Sequence, residues 1–219
     1  MALEIKTRIL ILSDTHGSQL PGWTSPKADV AIHCGDITDG STLKEFESGL
    51  RLLKRLDAPL KLLVAGNRDF TLDTPAFGAI VAGSASHVAG DPKLVKTFGG
   101  YGQAKQMLEE AGSDIIILDE GTHSFTLDNG ASLTVYARPY TPSKGNWGFT
   151  YHPDKGHDFQ IQNGTDIVVA HGPPRASWIG PRRKIGLAVR ASCCRCTITA
   201  PPALLGHIHE DWGAKLVSW

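Results

Sequence analysis

Val30-Ala31-Ile32-His33-Cys34-Gly35-Asp36 decides the fold class: five residues, all but His33 small or apolar, run without a break into a Gly-Asp turn. A strand with one face in water alternates apolar and polar residues, whereas a strand covered on both faces reads as a near-continuous apolar run. The same pattern recurs on either side. Ile9-Leu10-Ile11-Leu12 enters Ser13-Asp14-Thr15-His16-Gly17, and Leu60-Lys61-Leu62-Leu63-Val64-Ala65 enters Gly66-Asn67-Arg68-Asp69. Spacings of 20 to 30 residues leave room for the crossovers that parallel strands require. Between the second and third runs, Ser41 precedes Leu43, Phe46, Leu50, Leu53 and Leu56 at helical spacing, which predicts an amphipathic helix capped by Ser41. A further helix is expected over residues 101–111, stopped by Gly112.

Beyond it the pattern turns to β. Ile115-Ile116-Ile117-Leu118 is followed by Ser124-Phe125-Thr126-Leu127, the turn Asp128-Asn129-Gly130 and Leu133-Thr134-Val135-Tyr136, a hairpin signal. Asp166-Ile167-Val168-Val169-Ala170 is another buried-type strand, ending at His171-Gly172-Pro173-Pro174. Gly206-His207-Ile208-His209 precedes a last expected strand over residues 214–217. Parallel strands first and a hairpin-rich section later predict an α/β domain with mixed sheets, a single domain over residues 1–219.

Composition narrows the function classes. The chain has 219 residues, 41% hydrophobic, with 22 basic against 22 acidic side chains. Such a length buries a full core, and zero formal net charge argues against a binder of long nucleic acids, which must neutralise many phosphates. Cys34 reads as a small buried thiol, and Cys193, Cys194 and Cys196 are too bunched for a disulfide framework. Glu4, Lys6, Arg8 and Asp14 interrupt the first 20 residues, and no run of 18 apolar residues occurs. The expected setting is therefore cytoplasmic, without a membrane partner.

The residues able to do chemistry stand at strand ends: Asp14, His16, Asp36, Asn67, His171, His207 and His209. Asp14 with His16, and His207 with His209, are each one residue apart and can point to one side of extended backbone. Carboxylates, imidazoles and a carboxamide without thiolate suit borderline divalent ions such as Mn, Fe, Zn or Co. Seven donors are too many for one tetrahedral ion and suit two ions sharing one carboxylate.

The ordered set Asp-x-His, Gly-Asp, Gly-Asn, His-Gly-Pro-Pro and Gly-His-Ile-His resembles the calcineurin-like metallophosphoesterase family, from about Ile9 to about Trp212. Within it the chain is most similar to the small single-domain branch of mammalian brain-type metallophosphoesterase-domain proteins and their fungal relatives. The resemblance implies a β-sandwich of two mixed sheets flanked by helices (α/β/β/α) around a site for two divalent metal ions. On the family pattern Asp14, His16, Asp36 and His209 hold one ion. Asp36, Asn67, His171 and His207 hold the other, with Asp36 shared. The implied activity is hydrolysis of small phosphodiesters or phosphomonoesters by a metal-bridging hydroxide, with Asp36, Asn67, Arg68 and His171 as catalytic residues. The implied partner is a small phosphorylated substrate. Two divalent ions give a formally neutral chain a locally positive site.

Two departures qualify the match. The family's third motif carries His where this chain has Arg68. A guanidinium can bind phosphate through its planar fork but cannot release a proton near neutral pH. The alternative function is thus a metal- and phosphate-binding protein with little turnover. In that case Arg68 could turn away to pair with Asp69 or another carboxylate. The second departure is the Cys- and Pro-rich composition of residues 181–202, where relatives carry a helix and an apolar strand; it is a variant or a gene-model error. Pro201 and Pro202 limit any strand at Ala203-Leu204-Leu205 to a few residues.

Other readings are weaker. Cys193 and Cys196 with His207 and His209 fail zinc-finger spacing, because the two His are one residue apart. Gly99-Gly100-Tyr101-Gly102 lacks the third glycine of a dinucleotide fingerprint and no strand precedes it. Residues 139–153 carry Tyr140, Trp147, Phe149, Tyr151 and His152, either as an aromatic wall for a substrate or as loop packing. His157 with Asp158 reads as a surface pair, and Arg175 is placed near the site by position alone.

Overall fold

The structure is a computed structural model that describes residues 5–83, 91–158 and 160–172, and the backbone of residues 203–205. The three apolar runs become β1 (Ile9–Leu12), β2 (Val30–Cys34) and β3 (Leu60–Val64), joined by β4 (Ile115–Leu118). They lie side by side in that order and run parallel. All five residues of β2 are buried, as its unbroken sequence requires. α1 (Leu43–Lys54) crosses between β2 and β3. Its cap is Thr42 rather than Ser41: the Thr42 side chain accepts from Glu45 N, and Glu45 reaches back to Thr42 N in a capping box. Ser41 instead sits buried at φ 57°, its hydroxyl bonded to Thr71. Serine cannot both cap a helix and take that partner.

α2 (Thr74–Gly83) and α3 (Pro92–Phe98) were not expected from the sequence; they bracket residues outside the described set. Phe77 of α2 holds them together, its ring 6.3 Å from Phe98 and 5.2 Å from Tyr101. α4 (Gln103–Glu109) is the shorter core of the helix expected over residues 101–111, starting after Gly102 at φ 78°.

The hairpin forms as β5 (Gly121–Thr126) and β6 (Ser132–Arg138), with Phe125 opposite Leu133. A two-residue parallel ribbon follows, β7 (Thr141–Pro142) with β8 (Thr150–Tyr151). β9 (Ile167–Ala170) and β10 (Ala203–Leu205) complete a second sheet in the order β10-β9-β6-β5, mixed because only β5 is antiparallel. Expected positions 214–217 lie outside the described residues.

The two faces of the first sheet enter different cores. Val30, Ile32 and Cys34, with Leu62 and Val64, pack against Leu133, Val135, Ala137, Ile167 and Val169 of the second sheet. Ala31 and Leu63 face the other way, toward Phe46, Leu50 and Leu53 of α1 and Leu108 of α4. This period-2 division makes a sandwich with helices outside it. Cys34 is fully buried, and burial pushes its thiol well above the ordinary range, as an inert core residue. Among the described residues no helix is long and apolar enough to cross a membrane.

Phe46 is also fully buried, so Phe46→Ala should cost about 3–5 kcal/mol of unfolding free energy. Chemical denaturation checks this; a midpoint within error of the wild type would mean that α1 does not anchor the core.

Candidate metal centre

Parallel strands end on one edge, so the loops after β1, β2 and β3 emerge side by side. The first two are zipped together by Asp14 N donating to Gly35 O (2.9 Å), His16 N to Asp36 O (3.1 Å) and Gly17 N to Ile37 O (2.7 Å). Asp14, His16 and Asp36 adopt left-handed backbone, at φ 53°, 47° and 53°. Such conformations cost roughly 1–3 kcal/mol each and persist where the surroundings enforce them, often at functional sites. Their result is convergence: one ligand-type atom from each of these three residues lies within 4.8 Å of the other two. The Ser13 hydroxyl donates to the Asp14 carboxylate. His16 Nδ1 lies 3.1 Å from the Thr38 carbonyl, which can only accept, so Nε2 is the nitrogen left to bind a cation.

His171 arrives from the second sheet, at the end of β9. Its Nδ1 donates to Cys34 O (2.9 Å), tying the sheets together and fixing the ring. Nε2 then faces Asn67 Oδ1 at 3.0 Å and Asp36 Oδ1 at 3.3 Å. A lone pair directed at two oxygens lacks only a positive charge. Burial holds the His171 pKa down, but the Asp36 carboxylate outweighs it and the net shift is upward. Asp36 moves downward for the matching reason, against its own burial, through His171 and the Arg68 N–H (2.8 Å). A divalent ion fits the same place, with nitrogen and oxygen donors of suitable chemistry. Glycine is needed at two points here. A Cβ on Gly35 would collide with the His171 ring, and one on Gly66 with Asp36.

Asp69 is fully buried and holds the site from behind, a role the sequence reading missed. Its carboxylate accepts from Thr38 Oγ1 (2.7 Å), Gly66 N (2.8 Å), Thr38 N (2.9 Å) and Ile37 N (3.3 Å), locking the Asp36 loop to the Asn67 loop. Burial, reinforced by the Asp36 charge, raises it to about 6. Asp69 is thus occupied, and Arg68 does not pair with it. Arg68 Nη1 lies 3.6 Å from Asp39 Oδ1, and its Cζ sits 4.6 Å from the centre of the Trp147 ring. Asp39 was also unread; it stands three residues after Asp36, 3.6 Å from His16 Nδ1.

A cleft of about 410 Å³ opens here, lined by His16, Asp36, Asp39 and Asn67 together with Thr141, Ser143, Trp147 and Thr150. Arg68 joins the two sets, its N–H on Asp36 and its Cζ against the Trp147 ring. Six of the expected site residues therefore come together: Asp14, His16, Asp36, Asn67, Arg68 and His171. His207, His209, Arg175 and the three clustered cysteines lie outside the described residues. The aromatic wall reduces to one ring, since only Trp147 of the five reaches the cleft. His157 pairs with Glu120 (2.6 Å).

The sequence profile described as calcineurin-like phosphoesterase matches residues 7–211. The chain belongs to that family. Among curated phosphoesterase-type relatives, the human and mouse proteins named metallophosphoesterase domain-containing protein 1 are each 25% identical over 215 residues, covering 94% of this chain and 62% of theirs. A protein of Emericella nidulans named probable rhamnogalacturonate lyase C is 27% identical over 217 residues, 97% of this chain but 18% of its own length. This phosphoesterase-family chain thus spans under two thirds of each of these relatives.

His33, at the end of β2 and directed toward Thr15, is a further titratable neighbour of the site. It is buried, and burial holds its pKa down at about 4, with the Asp14 charge offsetting part of the effect. Nε2 lies 2.9 Å from Thr15 Oγ1. A His lowered on folding stabilises the fold above its unfolded pKa of about 6.5 and loses that contribution as pH falls through about 4. Metal-free protein should lose about 3 kcal/mol of stability across this window through His33. His33→Gln should flatten that part of a stability-against-pH curve, and an unchanged slope would assign the acid sensitivity elsewhere.

Proposed function

We propose that the chain is a metal-dependent phosphoesterase that uses two divalent ions to hydrolyse small phosphodiesters or phosphomonoesters. The observation that carries this reading is the meeting of Asp14, His16 and Asp36 with the oriented Nε2 of His171 and Asn67 Oδ1, beside a cleft that His16, Asp36 and Asn67 line. Asp14, His16 and Asp36 would hold one ion, and Asp36, Asn67 and His171 the other, with His209 and His207 as the family pattern assigns them. When bound, such a pair lowers the pKa of a water and offsets charge on the phosphoryl oxygens.

The chain's own groups do the rest. Asp36 is held in a rare backbone conformation and fixed by the Arg68 N–H, so its carboxylate is positioned before substrate arrives. Asp69 keeps the two loops in register. The Arg68 side chain, 39% exposed at the cleft, is placed to pair with phosphate oxygens. It supplies binding and charge, not a proton, so leaving groups that depart without protonation are favoured, such as aryl oxides.

A second reading, binding with little turnover, is favoured by the Asp39 and Trp147 contacts that occupy Arg68. Bis-aryl phosphate separates the two. Stripped protein should be inactive, gain turnover when manganese is added, and lose it again with chelator. No turnover at micromolar metal-loaded protein would favour the binder.

A further inference from the structure

We propose that Trp147 is a stacking platform that selects phosphoesters carrying a flat, conjugated ester group. This rests on the phosphoesterase reading of the cleft and adds the part of the substrate that the metals would not touch.

The loop between β6 and β9 spends its other aromatic rings on itself. Tyr140 packs edge-on to Phe149 and stacks on His157 at 4.9 Å, while Tyr151 lies against Arg138 and His157. Trp147 alone turns to the cleft, and it is 40% exposed.

Its backbone is firmly set. Gly148 lies so close to Phe70 that a Cβ would strike the Phe70 backbone. Phe149 N donates to Asp73 Oδ2 (2.7 Å), and Thr150 Oγ1 donates to Trp147 O (3.1 Å). The ring is therefore presented from a fixed point in the cleft that Asp36 and Asn67 also line.

Arg68 covers the ring in this structure, its Cζ 4.6 Å from the ring centre. That cover is replaceable. An exposed cation–π contact and an exposed carboxylate at 3.6 Å are both weak, whereas a guanidinium forms strong paired bonds with a phosphate group. A phosphoryl group at the metal end draws the guanidinium off the indole. The bare face then takes a planar ring from the same substrate, and the cleft volume of about 410 Å³ accommodates both parts. An alkyl group cannot use the face in this way.

Isothermal titration calorimetry with phenylphosphonate and methylphosphonate, which are not hydrolysed, tests this on metal-loaded protein. The wild type should bind the phenyl compound on the order of tenfold more tightly than the methyl compound. Trp147→Ala should bring that ratio close to one while the methyl affinity holds, and Trp147→Phe should keep most of it. Trp147→Gln removes the ring but keeps side-chain length, as a second variant if the alanine protein folds poorly. Equal loss of both affinities in Trp147→Ala would make Trp147 only a positioning residue for Arg68 and overturn the platform. An unchanged ratio would overturn it too, and either result leaves the phosphoesterase reading standing. Failure of the wild type to bind either phosphonate overturns both.

Discussion

Asp36→Asn should reduce metal-dependent turnover by on the order of 10³-fold or more. Asp36 is the carboxylate that faces both halves of the site: its Oδ1 lies 3.3 Å from His171 Nε2 and accepts the Arg68 N–H at 2.8 Å, and the residue also belongs to the Asp14–His16 cluster. An amide keeps an oxygen for the Arg68 N–H but loses the negative charge that a shared cation ligand needs. The fold should therefore survive while metal affinity and rate collapse together. Asp36→Ala should be equally inactive and less stable, because it also leaves that partly buried N–H without its acceptor. His171→Ala should match it in rate, since no other described side chain brings a nitrogen to Asn67 Oδ1 and Asp36 Oδ1 from the second sheet. Bis-aryl phosphate turnover and metal content of each variant check this. An Asp36→Asn protein within tenfold of wild type would remove Asp36 from the chemistry.

Arg68→His should move the enzyme in the opposite direction on difficult substrates. An imidazole titrates near neutrality and can protonate an alkoxide leaving group; a guanidinium cannot. General acids contribute roughly 10²- to 10⁴-fold, most where the leaving group is poor. Alkyl phosphoesters should therefore gain up to that factor, whereas aryl esters should change little. The substitution is clean because the Arg68 contribution to Asp36 comes from its backbone N–H, which histidine retains. A new loss of rate on the basic side of the pH profile would mark the imidazole as the donor. An unchanged or lower alkyl rate, with metal still bound, would mean that Arg68 is not standing where a proton is needed.

What the sequence made legible follows from what is local. β2 could be read because a strand buried on both faces has no choice but a continuous apolar run. Asp14, His16, Asp36, Asn67 and His171 could be read because each closely follows such a run, and parallel strands deliver their ends to one edge. α1 was visible in its spacing, but its cap shifted by one residue because the Ser41 hydroxyl is taken by Thr71, 30 positions away. α2 escaped because its apolar residues show no one-sided period and only Phe77 is buried. α3 escaped despite Asp91-Pro92 at its start, because it buries no residue. At the site, the unreadable parts depend on chain path. Nothing local says that Asp69 will be enclosed while Asp39 meets Arg68, or that Trp147 alone among the aromatic residues of its loop will face the cleft. The last depends on Gly148 passing against Phe70 and on Phe149 at φ 46°.

Two divalent ions are proposed to carry phosphoester hydrolysis at this cleft. The most direct measurement is bis-aryl phosphate turnover as manganese is titrated into stripped protein of known concentration, with bound metal counted at each point. The expected result is no turnover without metal and a plateau reached when two ions are bound per chain. Full turnover in chelator, or a plateau at one ion, would contradict it.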